Sequence, residues 1–404
     1  MISVGDIEAA WPAVRAVVHH TPVFRSHGLA ERCTLDSASL HLKMENLQRT
    51  GSFKIRGAYH RLSTFSESEK QVGVVAASAG NHAQGIALAA RLQGIRATVY
   101  MPEFASIAKI QATRRYGAEV VLQGANFDEA VAGAKAFAAE HGSVFVSAFD
   151  DDGIITGQGS LGLEILEDVP DVENVLICVG GGGLFSGVAT AIKAKRPHVR
   201  IIGVQAAGAP NAVNSWRAGH LLPHQQVQTI ADGIAIKSPS ERTFQYIQKY
   251  ADEMVTVTDQ EIARAMLLLL ERCKTVVEPA GAAAIAAILA HRVALEGQTV
   301  VTISGGNVDA HFLASMIERE MIQADRYMHF FSAVPDRPGG LVALLEEIAG
   351  LKGNVISVVH NRISPSIPLG YTGVELLLEV RDAEHIAALK AGLNAKGYRV
   401  EMLD

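Results

Sequence analysis

The chain carries four consecutive glycines, in Val179-Gly180-Gly181-Gly182-Gly183-Leu184, between two runs of opposite character. Residues 174–179 read Asn-Val-Leu-Ile-Cys-Val, an apolar stretch suited to a buried parallel strand. Residues 184–195 read as a helix. Glycine loses more backbone freedom on folding than any other residue, so four in a row are an unfavourable way to make a plain turn. Strand, glycines and helix instead make an anion cradle. Bare backbone approaches closely, N–H groups at the helix start point at the anion, and the helix dipole favours its charge.

The anion is narrowed by what the motif lacks. A dinucleotide fingerprint would need a third glycine at position 185 or 186, where Phe185 and Ser186 stand. The next strand-like run, 200–204, ends at Gln205 rather than at an acidic residue for a ribose. No Lys-Ser or Lys-Thr follows the glycines, so the triphosphate loop is excluded too. A single phosphate monoester fits best.

Lys54 supplies the second half of the chemistry. It lies in Gly51-Ser52-Phe53-Lys54-Ile55-Arg56-Gly57-Ala58, after an aromatic and among small residues. Burial disfavours the charged amine and lowers its pKa, and a neutral amine can attack a carbonyl to form a Schiff base. A Schiff-base lysine plus a lone phosphate cup points to pyridoxal 5'-phosphate. Two further turns are consistent with this. Ser78-Ala79-Gly80-Asn81-His82-Ala83-Gln84-Gly85 follows a strand-like run and opens a helix, so it can bind a carboxylate, or Ser78 or Asn81 can simply cap that helix. Ser304, in Thr302-Ile303-Ser304-Gly305-Gly306-Asn307, closes a strand at the end where α/β sheets bind ligands, or else marks an ordinary turn.

These four segments and Ala231-Asp232-Gly233-Ile234 occur together and in order, and jointly they resemble the fold-type II pyridoxal-phosphate enzymes. Within that family the first four-fifths of the chain is most similar to the threonine dehydratases (threonine ammonia-lyases). The resemblance implies a tryptophan-synthase-β-like fold of two open-sheet subdomains, with the cofactor between them. It makes Lys54 the lysine that carries the cofactor aldehyde and the base that removes the Cα proton. Phe53 and Gly233 would flank the ring, Asn81 would meet its hydroxyl and Ser304 its nitrogen. Gly180, Gly181, Gly182, Gly183 and Leu184 would wrap the phosphate. Ser78, Ala79, Gly80, Asn81 and His82 would line the substrate carboxylate site. Glu278 would either lie near the ring or cap the helix beginning at about residue 281. The expected reaction is loss of water and ammonia from L-threonine, and from L-serine, giving 2-oxobutanoate or pyruvate.

Two departures separate the chain from serine racemase. Ala79 stands where that enzyme has a serine able to transfer a proton, and the stretch 205–211 has Gln205 and Asn211 where the racemase-type metal site has carboxylates. Amides are weak ligands for hard divalent cations, so no divalent metal is expected there. A serine dehydratase or racemase remains the alternative within enzymes. From another class, a non-catalytic amino-acid sensor would retain the fold without the chemistry.

Strand-like runs at 72–78, 97–101, 119–122 and 144–148 form one set, and those at 175–179, 201–204, 254–257 and 300–304 a second. The implied catalytic domain is 1–320, with a small subdomain at about 47–150 and a large one from 1–46 and 151–320. From 327 to 404 the order strand, helix, strand, strand, helix, strand is ferredoxin-like. With Asp-Arg-Pro-Gly-Gly-Leu after its first strand it resembles an ACT domain. This implies either an amino-acid effector site near Asp336, Gly339, Gly340 and Asn354 or a purely oligomerising module.

Net charge is −6 without a basic cluster, so nucleic acid is not an expected partner. Three scattered cysteines argue against a disulfide framework, and the N-terminus has no signal-peptide pattern. No apolar stretch reaches membrane-spanning length uninterrupted. A cytoplasmic homodimer or homotetramer acting on a small amino acid is therefore expected.

Overall fold

The computed structural model describes residues 1–33, 39–224, 226–361 and 367–403. They form two compact units, Met1–Asp309 and Ala310–Asp404.

The first unit holds two sheets. The larger runs Val23–Arg25, Leu40–Lys43, Thr299–Thr302, Asn174–Cys178, Arg200–Ala206, Glu253–Val257. All its neighbours are parallel except the first pair. The smaller runs Glu119–Leu122, Ala97–Met101, Val74–Ala77, Val144–Phe145 and is parallel throughout. Its inner strands are buried along their whole length, as parallel strands covered on both faces must be. The α/β layers and the parallel pairing are those expected.

Two strands of the large sheet escape the sequence pattern, for a physical reason. Val23–Arg25 is only three residues long and mostly exposed. Leu40–Lys43 contains His41 and Lys43, which read as polar, yet all four residues are buried. Lys43 is tolerated because its Nζ donates to Thr21 O at 2.6 Å and to Asp168 at 2.7 Å, and pairs with Glu164 at 2.8 Å. The run expected at 144–148 pairs only over Val144–Phe145.

Behind the glycine run, helix Asp152–Asp168 packs on helix Gly183–Lys195 at backbone range. A Cβ at Gly187 would lie 2.3 Å from Ile155 O and 2.5 Å from Gly159 N, so only glycine permits this approach.

The second unit has strands Tyr327–Pro335, Asn354–Asn361, Tyr371–Glu379 and Glu401–Met402, with helices Gly340–Gly350 and Ala383–Ala395 between them. Spatial order is Asn354–Asn361, Tyr371–Glu379, Tyr327–Pro335, Glu401–Met402, all antiparallel, which is the ferredoxin-like arrangement. Residues of Tyr327–Pro335 alternate between buried and half-buried, and Met328, Phe330, Leu344, Ile348, Leu376 and Leu389 make the core.

Candidate active site

Lys54 is the first residue of helix Lys54–Ser63. The loop before it is stitched to the carboxyl end of strand Thr299–Thr302: Phe53 N donates to Ser304 O at 3.1 Å, and Gly306 N donates to Gly51 O at 2.8 Å. Lys54 Nζ donates to Ala148 O at 3.1 Å and stands 5.1 Å from the Phe53 ring centroid. Burial pushes its pKa down to about 8, partly offset by Cys178 and Glu278. A helix N-terminus also disfavours a cation.

A cavity of about 300 Å³ opens on this amine. Its walls include Phe53, Ser78, Ala79, Gly80, Asn81, His82, Gly180, Gly181, Gly182, Gly183, Leu184, Gly233, Glu278 and Ser304. Every residue singled out for the cofactor or the substrate carboxylate thus lines one space.

The glycine run is the floor of that space. Gly182 has φ +90° and stands immediately before helix Gly183–Lys195. A Cβ at Gly181 would sit 2.3 Å from the Phe149 ring, and one at Gly183 3.0 Å from Phe149 Cα. No side chain fits, and the first N–H groups of the helix have no intrahelical acceptor. Such a cradle fits a phosphate, and an amine of lowered pKa beside it fits an aldehyde.

A comparison with protein-family models matches the pyridoxal-phosphate dependent enzymes over residues 14–306. The chain belongs to that family. It is 46% identical over 404 residues, all of both chains, to an L-threonine ammonia-lyase of Thermotoga maritima. It is likewise 46% identical over 398 residues, 98% of each chain, to an L-threonine ammonia-lyase of Geobacter sulfurreducens. Among solved structures, the processed form of threonine deaminase isoform 2 from Solanum lycopersicum superposes with a TM-score of 0.74 at 37% identity, covering 78% of this chain and 86% of that one.

The family's turn at Ser78–His82 is arranged differently from a simple cap. Helix Asn81–Leu92 has Gly80 at its N-cap and no side-chain cap bond. Ser78 Oγ accepts from Gly80 N at 3.1 Å, and Asn81 Nδ2 donates to Glu278 Oε1 at 2.6 Å. Capping is therefore not what these residues do. Glu278 likewise occupies the N-cap of helix Pro279–Leu289 without making a cap bond. Burial, and then the Asp232 carboxylate, push the Glu278 pKa up to about 7. His82 Nε2 lies 3.1 Å from Val146 O; a carbonyl only accepts, so this nitrogen carries the proton. Burial and the nearby Lys54 hold its pKa down at about 3, so the ring is neutral.

Ser304 is buried, and its Oγ accepts from Cys178 Sγ at 3.2 Å. Cys178 reads as inert packing in sequence, yet it lines the cavity, its thiol pushed up to about 11 chiefly by burial. Phe149 and Lys109 also line the cavity without any sequence signal. Lys109 pairs with Asp232 at 2.5 Å. These residues come from separate helices and loops, so only the tertiary fold brings them together.

At the stretch compared with a metal site, Gln205 Oε1 accepts from Val213 N at 2.9 Å and Asn211 Nδ2 donates to Ile236 O at 3.2 Å. Among the described residues no group of His, Cys, Asp or Glu could hold a metal ion, and no helix is long and apolar enough to cross a membrane.

In the second unit a cavity of about 320 Å³ is lined by Asp336, Arg337, Gly339, Leu341, His360 and Thr372, among others. Gly340 follows directly as the buried first residue of its helix. Asn354 is not brought there. It faces Glu379 at the far end of its strand, 2.9 Å from Oε2, whereas the cavity lies at the end where His360 pairs with Val374.

Proposed function

We propose that the protein is an L-threonine ammonia-lyase, converting L-threonine to 2-oxobutanoate and ammonia and accepting L-serine to give pyruvate. The observation that carries this reading is a lysine amine of lowered pKa opening on the same cavity as a side-chain-free glycine cradle. When bound, pyridoxal 5'-phosphate supplies an electron-withdrawing system that stabilises negative charge at the substrate Cα. In this reading Lys54 holds its aldehyde, Gly180–Leu184 its phosphate, and Asn81, Glu278, Ser304, Phe53 and Gly233 its ring.

The protein's own groups then divide the work. The turn at Ser78–His82 receives the substrate carboxylate at the start of helix Asn81–Leu92, where N–H groups are unsatisfied. Lys54, when its amine is not bound to the coenzyme aldehyde, would be the base that takes the proton from Cα. Neutral His82 adds no competing positive charge beside that amine. Ser304 offers a hydroxyl where a carboxylate would hold a proton on the ring nitrogen; this weakens the electron sink and favours direct loss of the β-hydroxyl over amino-group transfer.

A racemase reading draws on similarity to maize serine racemase, with a TM-score of 0.73 at 32% identity, covering 80% of this chain and 98% of that one. Ala79 argues against it, because it offers no proton on the cavity wall.

The domain reading keeps a catalytic domain at 1–320 and an ACT-like regulatory domain at 327–404. An amino-acid effector, with isoleucine as inhibitor, would bind near Asp336 and Gly339, and the reaction would serve either the first step of isoleucine synthesis or threonine catabolism. Cys33, Cys178 and Cys273 are buried and not disulfide-bonded, which supports a reducing, cytoplasmic setting. Dimeric or tetrameric assembly belongs to the same proposal.

The test is a substrate panel of L-threonine, L-serine and their D-forms, read by 2-oxo acid formation, together with borohydride reduction and peptide mapping. L-threonine turnover and a label on Lys54 are expected. No 2-oxo acid from any substrate would leave the racemase reading, if L- and D-serine interconvert, or else the sensor reading, and a label elsewhere would displace Lys54.

A further inference from the structure

Asn307 does not line the cavity, yet it decides what Asn81 shows to it. Asn307 Nδ2 donates to Thr50 O at 2.7 Å and to Asn81 Oδ1 at 2.8 Å. Thr50 O is a carbonyl and can only accept, so the Asn307 amide has one orientation. Both of its hydrogens are thereby used. Asn81 must in turn present its oxygen to Asn307, which leaves Asn81 Nδ2 directed at Glu278 Oε1, 2.6 Å away. That nitrogen has two hydrogens, and Glu278 takes one. The other is available on the cavity side.

The seat for Asn307 is built. Gly51 has φ +70°, and a Cβ there would lie 2.4 Å from Asn307 Oδ1. The neighbouring backbones are fastened by Gly306 N donating to Gly51 O at 2.8 Å and by the Ser52 to Gly305 bridge. The lysine loop and the turn after Ser304 are thus clasped around this side chain.

We propose that Asn307 is a positioning residue that locks the Asn81 amide so that an N–H, and not a carbonyl oxygen, faces the ring hydroxyl of the bound coenzyme. This deepens the functional reading above and rests on it. A donor suits that oxygen in its anionic form, because hydrogen bonds to charged acceptors are the stronger ones. Asn307→Asp sets an acceptor against both Thr50 O and Asn81 Oδ1. Rotating the Asn81 amide relieves half of that clash and turns the carbonyl toward Glu278 and the cavity.

The test uses full-length holoenzyme and reads the visible band of the coenzyme and its dissociation constant. Asn307→Asp is expected to move the band and to weaken retention roughly tenfold or more, the loss of one hydrogen bond to a charged group. Asn307→Ala, which removes the lock without imposing the wrong orientation, should do less. In Asn307→Asp/Glu278→Gln, the amide introduced at 278 donates to the oxygen of the rotated Asn81 amide. Thermal stability should recover while the band stays displaced, which a merely structural role does not predict. An unchanged band and unchanged retention in folded Asn307→Asp or Asn307→Ala overturns the proposal, as does recovery of the band together with stability in the double variant. If wild-type protein takes no coenzyme label at Lys54, the cavity reading itself has failed and this inference falls with it.

Discussion

Arg56 Nη2 lies 2.7 Å from Glu164 Oε2, and both side chains are sealed from solvent. The same guanidinium grips Glu45 in fork geometry, Nε to Oε2 at 2.7 Å and Nη2 to Oε1 at 2.8 Å. Glu164 is shared with the buried Lys43. Arg56 is two residues beyond Lys54 on the same helix, so this cluster anchors the element that presents the amine. Buried charges are tolerated only when paired in this way, and pairing holds the Arg56 pKa above its already high ordinary value.

Removing one partner of that cluster strands the others. Arg56→Ala is expected to destabilise the protein by about 3–5 kcal/mol, read by urea unfolding. Arg56→Lys keeps the charge but not the fork, and should recover only part of the loss. Stability of Arg56→Ala within about 0.5 kcal/mol of wild type, the range of a neutral surface change, would contradict the anchoring role.

The Lys54 amine should titrate well below the ordinary lysine value, because burial disfavours its charged form. In coenzyme-free protein, modification by an amine-selective reagent should rise with pH through about 8, because only the neutral amine reacts. The sign for stability follows. Between about 8 and the ordinary 10.5 the unfolded chain holds a proton on this lysine that the folded chain has lost. Its unfavourable contribution is therefore complete below 8 and is relieved as pH rises toward 10.5. Peptide mapping after timed modification checks this; a midpoint above 10 would be the contrary result.

Gly181→Ala drives a methyl group to 2.3 Å from the Phe149 ring. Coenzyme retention should fall roughly tenfold or more, and the coenzyme-free protein should lose about 1–3 kcal/mol, the usual range for overpacking. Equilibrium dialysis and thermal unfolding measure the two effects separately. Unaltered retention would place the phosphate elsewhere.

Ser304→Asp supplies the carboxylate that the native site lacks. The ratio of 2-oxo acid formed by elimination to amino group transferred to the coenzyme should fall, as followed by product analysis and the coenzyme absorbance. If the ratio does not move, the weaker electron sink is not what favours elimination.

Asp336→Ala changes the wall of the second cavity and leaves Lys54 untouched. Isoleucine should then inhibit less, with kcat in its absence within about twofold of wild type, as expected for a substitution outside the unit that carries Lys54. Inhibition identical to wild type would remove Asp336 from the effector site.

Much of this was legible in the chain. Parallel strands announce themselves as aliphatic runs because both their faces are covered, and Val74–Ala77, Ala97–Met101 and Asn174–Cys178 follow that rule. The glycine run and Lys54 declare chemistry because each is unfavourable unless it serves a ligand. The edge pair Val23–Arg25 and Leu40–Lys43 stayed hidden because one strand is short and exposed and the other buries a lysine whose carboxylate partners lie more than a hundred residues away.

By itself the amino-acid sequence singled out the candidate groups: an amine that burial would make neutral, a backbone stripped of side chains at a helix start, and a hydroxyl at the end of a strand. The order of apolar runs likewise pointed to layered α/β packing, since hydrophobic periodicity is a local property. Only the tertiary structure decided orientation. Whether Glu278 caps a helix or receives Asn81, whether Cys178 is packing or cavity wall, and which way the Asn81 amide turns all depend on atoms distant in the chain. Hydrogen bonds are directional and short, so their partners are chosen by the fold and not by sequence proximity.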